Sequence, residues 1–247
     1  MSPDPALDAD VRRFDEDRWL ASRFAPEDAR RRLVALCALN HEIARTAETV
    51  RQAAIGDIRL QWWRDAVAEV LAGKTPRVHP VVQTFAAANV ETPFAHEVLD
   101  ALIAARGADL EAAPFATWEA LDTYVDAIAG GIMRLALTAC GLGDGISQHA
   151  ARAWGYTGLM RAGAHWQARG RSFLPPDGDP HEMLARARAA YAAARSVLHA
   201  LPAAGFGAVG YVALVPGYLR ALERGETERP LILRQVKLVA ASATGRV

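Results

Sequence analysis

Apolar residues recur at helical spacing almost from one end of the chain to the other. No window sustains the period-two alternation, rich in Val, Ile and Thr, that a half-buried strand needs. This periodicity argues against sheet architectures and predicts an all-α protein. Helices are expected at 5–22, 27–52, 56–73, 79–88, 93–110, 117–140, 147–168, 180–199, 209–224 and 231–242. Pro26, Glu27 and Asp28 open the second with acids in its first turn, where the helix dipole favours negative charge, and Gly73 closes the third. The prolines and glycine of "FLPPDGDP" (173–180) make a loop. With no repeat, low-complexity tract or linker, residues 1–247 are expected to form one helical domain, and 51% apolar residues suffice for a sizeable core.

Charge narrows the function. Lysine plus arginine balances aspartate plus glutamate at 28 each, so no net field draws the chain to nucleic acid, and none is expected as a partner. Cys37 and Cys140 lie in apolar helical stretches at a spacing that fits neither a disulfide framework nor a zinc motif, and read as buried thiols. The N-terminal "MSPDPALDADVRRFDEDR" lacks the apolar region of a signal peptide and is too acidic for a transit peptide. No run is expected to span a membrane, which needs about 20 mostly apolar residues. A cytoplasmic, bacterial protein is the expectation, at most peripheral to the inner membrane.

Two local patterns have packing explanations. In "IGDIRLQWWRDAVAEVLAG" the residues Ile55, Ile58, Trp62, Ala66 and Val70 are expected along one inward face, with the Trp62–Trp63 pair in the core or, on a functional reading, lining an apolar cavity. "GFGAVG" (205–210) matches G-x-G-x-x-G, but it follows a helix ending at Pro202 where a dinucleotide site needs a strand, so a glycine-rich interhelical loop is expected instead.

Three stretches carry a resemblance. "RRRLVALCALNHEIARTAE" (30–48), "DTYVDAIAGGIMRLAL" (122–137) and "GYTGLMRAGAHWQARGRSFLPPD" (155–177) resemble, in order and spacing, the helices of squalene and phytoene synthases that bear the two aspartate-rich motifs and the tyrosine between them. The resemblance implies a single isoprenoid-synthase-like bundle around a central cavity. In active members it implies Mg²⁺ held by carboxylates at i and i+4, where it stabilises charge building on a diphosphate leaving group. Carried onto this chain, the first motif falls on Ala44, Arg45 and Glu48, beside His41, and one acid of three remains. The second falls on Ala162, His165 and Trp166, next to a matching Arg161, and no acid remains. Arg171 matches within "RGRSFLP", as does Tyr124. Met133 stands where a small residue is implied and is expected to narrow the cavity.

One glutamate cannot build two magnesium sites, because a hard cation wants several oxygen ligands and Arg45 would repel it. No catalytic residue, metal or cofactor is therefore expected; Mg²⁺ would belong only to a prenyltransferase reading. Another metal would need His41, Glu48 and His165 to converge. Diphosphate bound without metal would need Arg45, Arg161 and Arg171, whose alternative is to form structural ion pairs, Arg161 with Glu48 or Arg45 with a neighbouring acid. The run "LNHEIART…IGDIRLQWWRDAVAEV" is closer to the family's non-catalytic branch, which includes a mitochondrial complex I assembly factor. That likeness implies protein partners such as respiratory complex I subunits. Two readings stand: an assembly protein on this scaffold, or a protein that binds or converts a prenyl diphosphate or other isoprenoid or lipid ligand. An open apolar pocket with Arg45 and His165 at its mouth favours the second; a cavity plugged by Met133 and tryptophans favours the first.

Overall fold

The computed structural model describes residues 5–90, 92–143 and 148–245. Residue 147, the expected start of one helix, lies outside the described residues, as do the first four residues of the N-terminal stretch. The described chain is helical with no strand, as the periodicity predicts. In order come α1 (Pro5–Phe14), α2 (Glu16–Ser22), α3 (Glu27–Ala44), α4 (Thr46–Thr49), α5 (Ala53–Leu71), α6 (Pro80–Asn89) and α7 (His96–Ala105). Then follow α8 (Trp118–Val125), α9 (Gly131–Ala139), α10 (Gln148–Gln167), α11 (Pro180–His199), α12 (Phe206–Val209), α13 (Val215–Leu222) and α14 (Leu231–Thr244).

Several expected helices divide, each for a local reason. Asp15 leaves helical geometry between α1 and α2, and its carboxylate takes Arg18 at 2.9 Å. The expected 27–52 helix stops as α3 at Ala44. After Arg45 a single turn, α4, ends where Val50 goes extended, with the Thr49 hydroxyl donating back to the carbonyls of Arg45 and Thr46. A π segment, Asp126–Gly130, interrupts the expected 117–140 helix between α8 and α9. Such a wide turn re-aims the side chains that follow it. α10 packs directly on it and on the end of α8: a Cβ on Gly155 would lie 3.3 Å from Ala129 Cβ and 2.4 Å from Val125 Cγ1, so only glycine fits.

Three expectations are corrected. The buried stripe of α5 is Gly56, Leu60, Trp63, Val67 and Val70 with Ala66, whereas Ile55 and Ile58 are 49% and 71% exposed. Trp63 is core, and Trp62 is half-buried against Trp63, His79 and the Arg77 guanidinium, so neither indole lines the cavity between the motif helices. The stretch 205–210 is no flexible loop but a buried helical turn around α12. A Cβ on Gly207 would come within 2.6 Å of Ala25 Cβ, so this glycine permits close packing. The run Ala203–Leu222, which contains α12 and α13, is long and apolar enough to cross a membrane by composition, against the expectation; 83% of it is buried inside the protein.

α3 runs through the centre with Leu33 to Leu39 buried without a break, the mark of a helix enclosed on all sides. Arg32, also buried, donates from Nε to the Ala88 carbonyl at 3.0 Å and from Nη2 to the Thr92 carbonyl at 2.6 Å. Its Nη1 donates to the Ala139 carbonyl at 3.3 Å. One side chain thus satisfies carbonyls at the ends of α6 and α9 that the helices leave free. Across the bundle, Asp17 of α2 is 5% exposed and accepts from Arg234 Nη1 of α14 (2.8 Å), Tyr218 Oη of α13 (2.7 Å) and Arg161 Nη1 of α10 (3.3 Å). Removing one partner of a buried charge cluster strands the others. Asp17→Ala is expected to destabilise by about 3–5 kcal/mol in urea denaturation, and Asp17→Asn, which keeps shape but not charge, by less.

Candidate functional site

The end of α3, the turn α4, the segment from Tyr124 through the π turn, and one face of α10 enclose a cavity of about 250 Å³. His41, Ala44, Arg45 and Glu48 line it from one side, Gly158, Ala162 and Trp166 from the facing helix, and Tyr124 and Ala129 from a third. The two motif regions identified from the sequence therefore do face each other. Arg45, Glu48 and His165 are exposed at the mouth, so the cavity opens to solvent.

The charged groups around it are paired, whereas the buried Asn40 Oδ1 has no hydrogen-bond partner. Glu48 lies 3.5 Å from His165 Nε2, and Arg45 pairs with Glu42 at 2.9 Å. His41 stacks on Phe14, ring centroids 3.5 Å apart. Burial holds its imidazole below the ordinary value of 6.5, with Arg45 adding to the effect and Glu42, Asp15 and Glu48 opposing it, so the ring is neutral at pH 7. Glu48 and His165 meet while His41 is held elsewhere, and no group of three metal-ligating side chains exists among the described residues. The three-ligand convergence considered from the sequence is not formed.

The arginines also part company, so the three-arginine diphosphate clamp weighed from the sequence is not formed. Arg161 turns away from the cavity to Asp17, to Glu228 at 3.1 Å and onto the Tyr218 ring, 3.9 Å from its centroid; it does not pair with Glu48. Arg171 donates to the Asp109 carbonyl at 2.5 Å and lies over the Trp166 ring. It lines a second pocket of about 230 Å³ between α10 and α11, on the far side of Trp166. Met133 is fully buried in α9 and does not line the cavity, a correction that the π turn explains, since it rotates α9 relative to α8. The narrowing side chains are instead Trp154 and Trp166.

Sequence reasoning missed the cavity floor. The Tyr124 hydroxyl donates to buried Asp109, which also takes Arg106 at 3.1 Å, and Arg106 Nη1 reaches the hydroxyl at 3.3 Å. Burial first, and then the Asp109 carboxylate, push the Tyr124 hydroxyl well above its ordinary value of 10.0, so it remains a donor. Arg18, paired with Asp15, lies over the Trp154 and Tyr211 rings. The only sequence signal was the i, i+3 spacing of Arg106 and Asp109, which is common on exposed helices.

The family model described as squalene/phytoene synthase matches residues 11–178. The NADH dehydrogenase (ubiquinone) complex I, assembly factor 6 of Mus musculus is 26% identical over 171 residues, and that of Rattus norvegicus 28% over 171. The Homo sapiens protein of that name is 25% identical over 174 residues. Each alignment takes 68% of this chain and 51% of the relative, so the chain spans about half the length of the curated relatives it matches. Among solved structures, squalene synthase HpnC from Alicyclobacillus acidocaldarius superposes with a TM-score of 0.70 at 17% identity, covering 89% of this chain and 92% of that one. A dehydrosqualene synthase in complex with ligand gives 0.69 at 14%, covering 97% and 94%. These likenesses establish the all-α isoprenoid-synthase fold.

Two measurements test the site. The unfolded chain takes up a proton on His41 near its ordinary value of 6.5 while the folded chain resists it, so acidification through that value removes stability. The wild type is expected to lose Tm more steeply between about pH 8 and pH 5 than His41→Phe, which keeps the stack on Phe14 without the titration. Arg171→Ala is expected to cost about 1–3 kcal/mol by leaving the Asp109 carbonyl without its donor, read as a lower denaturation midpoint.

Proposed function

This chain belongs to the squalene/phytoene synthase family, and on that premise we propose that it serves the assembly of a respiratory complex of the complex I type instead of prenyl transfer. One observation carries the reading: where the two motif helices face each other across the cavity, Ala44, Arg45, Ala162 and Trp166 stand in place of carboxylates. Mg²⁺ binds through several hard oxygen ligands, and the remaining acid, Glu48, is beside His165. The cavity, about 250 Å³, is also smaller than the roughly 300–1,000 Å³ of typical ligand sites. The assembly-factor relatives support the same reading through their names.

In this proposal residues 1–247 act as one domain whose outer helices hold a partner subunit. The outer half of α5 is the favoured face, because Ile55 and Ile58 stand exposed there within the run that resembles the non-catalytic branch. The protein would work in a bacterial cytoplasm and meet the inner membrane only at its surface.

Deleting the gene is expected to lower the amount of assembled complex I while leaving carotenoid, squalene and hopanoid pools intact. Purified protein is expected to release no pyrophosphate from farnesyl or geranylgeranyl diphosphate with Mg²⁺. Normal complex I together with loss of one isoprenoid would overturn the assembly reading, and turnover above a heat-killed control would restore the enzyme.

A further inference from the structure

α14 presents the wrong face to water. Its inner side is Arg234, Leu238 and Ala241, all buried, while Ile232, Val236 and Val239 on the other side are 62%, 58% and 58% exposed. At 3.6 residues per turn Ile232, Val236, Val239, Ala240 and Ala243 fall within an arc of about 100°, the width of stripe that a helix ordinarily turns to a core. No acid occurs on this helix, whose only charges are Arg234 and Lys237.

Beside the stripe lies a cleft of about 340 Å³ lined by Gly217, Arg220, Arg229, Leu233 and Lys237. Leu233 and Lys237 belong to α14 itself, so cleft and stripe are continuous. The acids nearby are committed elsewhere: Glu223 to Arg188, Glu226 to Arg224, Glu228 to Arg161, and Glu16 with Asp17 to Arg234. Arg229 is braced by donating to the Gly217 carbonyl at 3.0 Å. Among the described residues no ion pair joins a carboxylate to Arg220, Arg229 or Lys237, and the one carboxylate that feels the Arg229 charge, Glu226, is held by Arg224.

We propose that this face docks on a bilayer containing anionic phospholipid. The cleft takes headgroup phosphate through Arg220, Arg229 and Lys237, and the α14 stripe settles into the boundary between headgroups and acyl chains. A basic cleft bordering an exposed apolar helical stripe has the two attractions such a surface offers, charge and apolar burial. A soluble anion would leave the stripe wet. A second copy of the chain seated two-fold on the same face would bring like charges together, because such a contact is self-complementary. The proposal deepens the peripheral location given above and names the surface responsible.

Flotation of the purified chain with vesicles provides the test, using phosphatidylcholine alone and phosphatidylcholine mixed equally with phosphatidylglycerol. Binding to the anionic vesicles and not the neutral ones, weakened by salt, is expected. Arg220→Ala with Lys237→Ala should weaken it about 25-fold, about fivefold for each basic residue lost near an anionic leaflet. Val236→Asp with Val239→Asp should abolish it, and because all four side chains are on the surface, an unchanged melting curve will show that the variants fold. No flotation with anionic vesicles, or equal flotation with neutral ones, would overturn the proposal. So would a dimer in sedimentation that the Asp pair converts to monomer, since a second copy would then be the cover. Vesicle binding is read on the isolated protein, so its failure leaves the assembly reading standing, and an unaffected complex I leaves the surface standing.

Discussion

The rest of the bundle depends on one buried carboxylate. Asp17 gathers α10, α13 and α14 onto α2 through Arg161, Tyr218 and Arg234, at the cost of taking three ionised groups out of water. Its consequence for the site is directional. Arg161 sits within the second motif, one residue before Ala162, yet its guanidinium is drawn across the helix to Asp17 and away from the cavity. A residue that matches the family pattern is thereby used for architecture, and the cavity wall it leaves behind is made of Gly158, Ala162 and Trp166.

The cavity consequently has little charge to offer a ligand. Arg18 is set against Asp15, Arg45 against Glu42, Arg106 against Asp109, and Glu48 against His165. A polyanion entering here would compete with a carboxylate already held by each cation, the buried Nε donors of Arg18 and Arg106 being without a partner, and a metal would have to bring its own ligands. Trp166 strengthens the effect, since it meets Phe173 edge-on at 5.5 Å and carries the Arg171 guanidinium on its face. An indole at this position replaces a possible cation ligand with apolar area and partitions the interior into two small spaces.

How much of this was legible in the sequence varied with the range of the forces involved. Helices fixed by local punctuation were readable: α11 spans 180–199 as expected, with the Asp179 carboxylate accepting from the His181 amide and Pro180 in its first turn. The meeting of the two motif regions was readable from their spacing along a known scaffold. The breaks at Asp15 and Arg45 were not, because both residues have neighbours with strong helical periodicity and the interruption comes from where the next helix must go. The exposure of Ile55 and Ile58 defeated the pattern of α5 because burial there follows Gly56 and Leu60, and Gly56 is small only to admit Leu110. Arg106 and Asp109 became recognisable only once Tyr124, 15 residues beyond Asp109, was brought onto them.

Arg32 sets an order of events. It is synthesised before each of the carbonyls it binds, those of Ala88, Thr92 and Ala139. A nascent chain that has reached only the end of α5 holds this guanidinium at the edge of an enclosed helix before the Ala88, Thr92 and Ala139 carbonyls have been made. Burying α3 at that stage would leave these three bonds unmade, so the early helices gain by staying loosely associated until α9 exists. The N-terminal helices are for that reason poor candidates for an independently stable fragment: the first residues made wait for the middle of the chain before they can close.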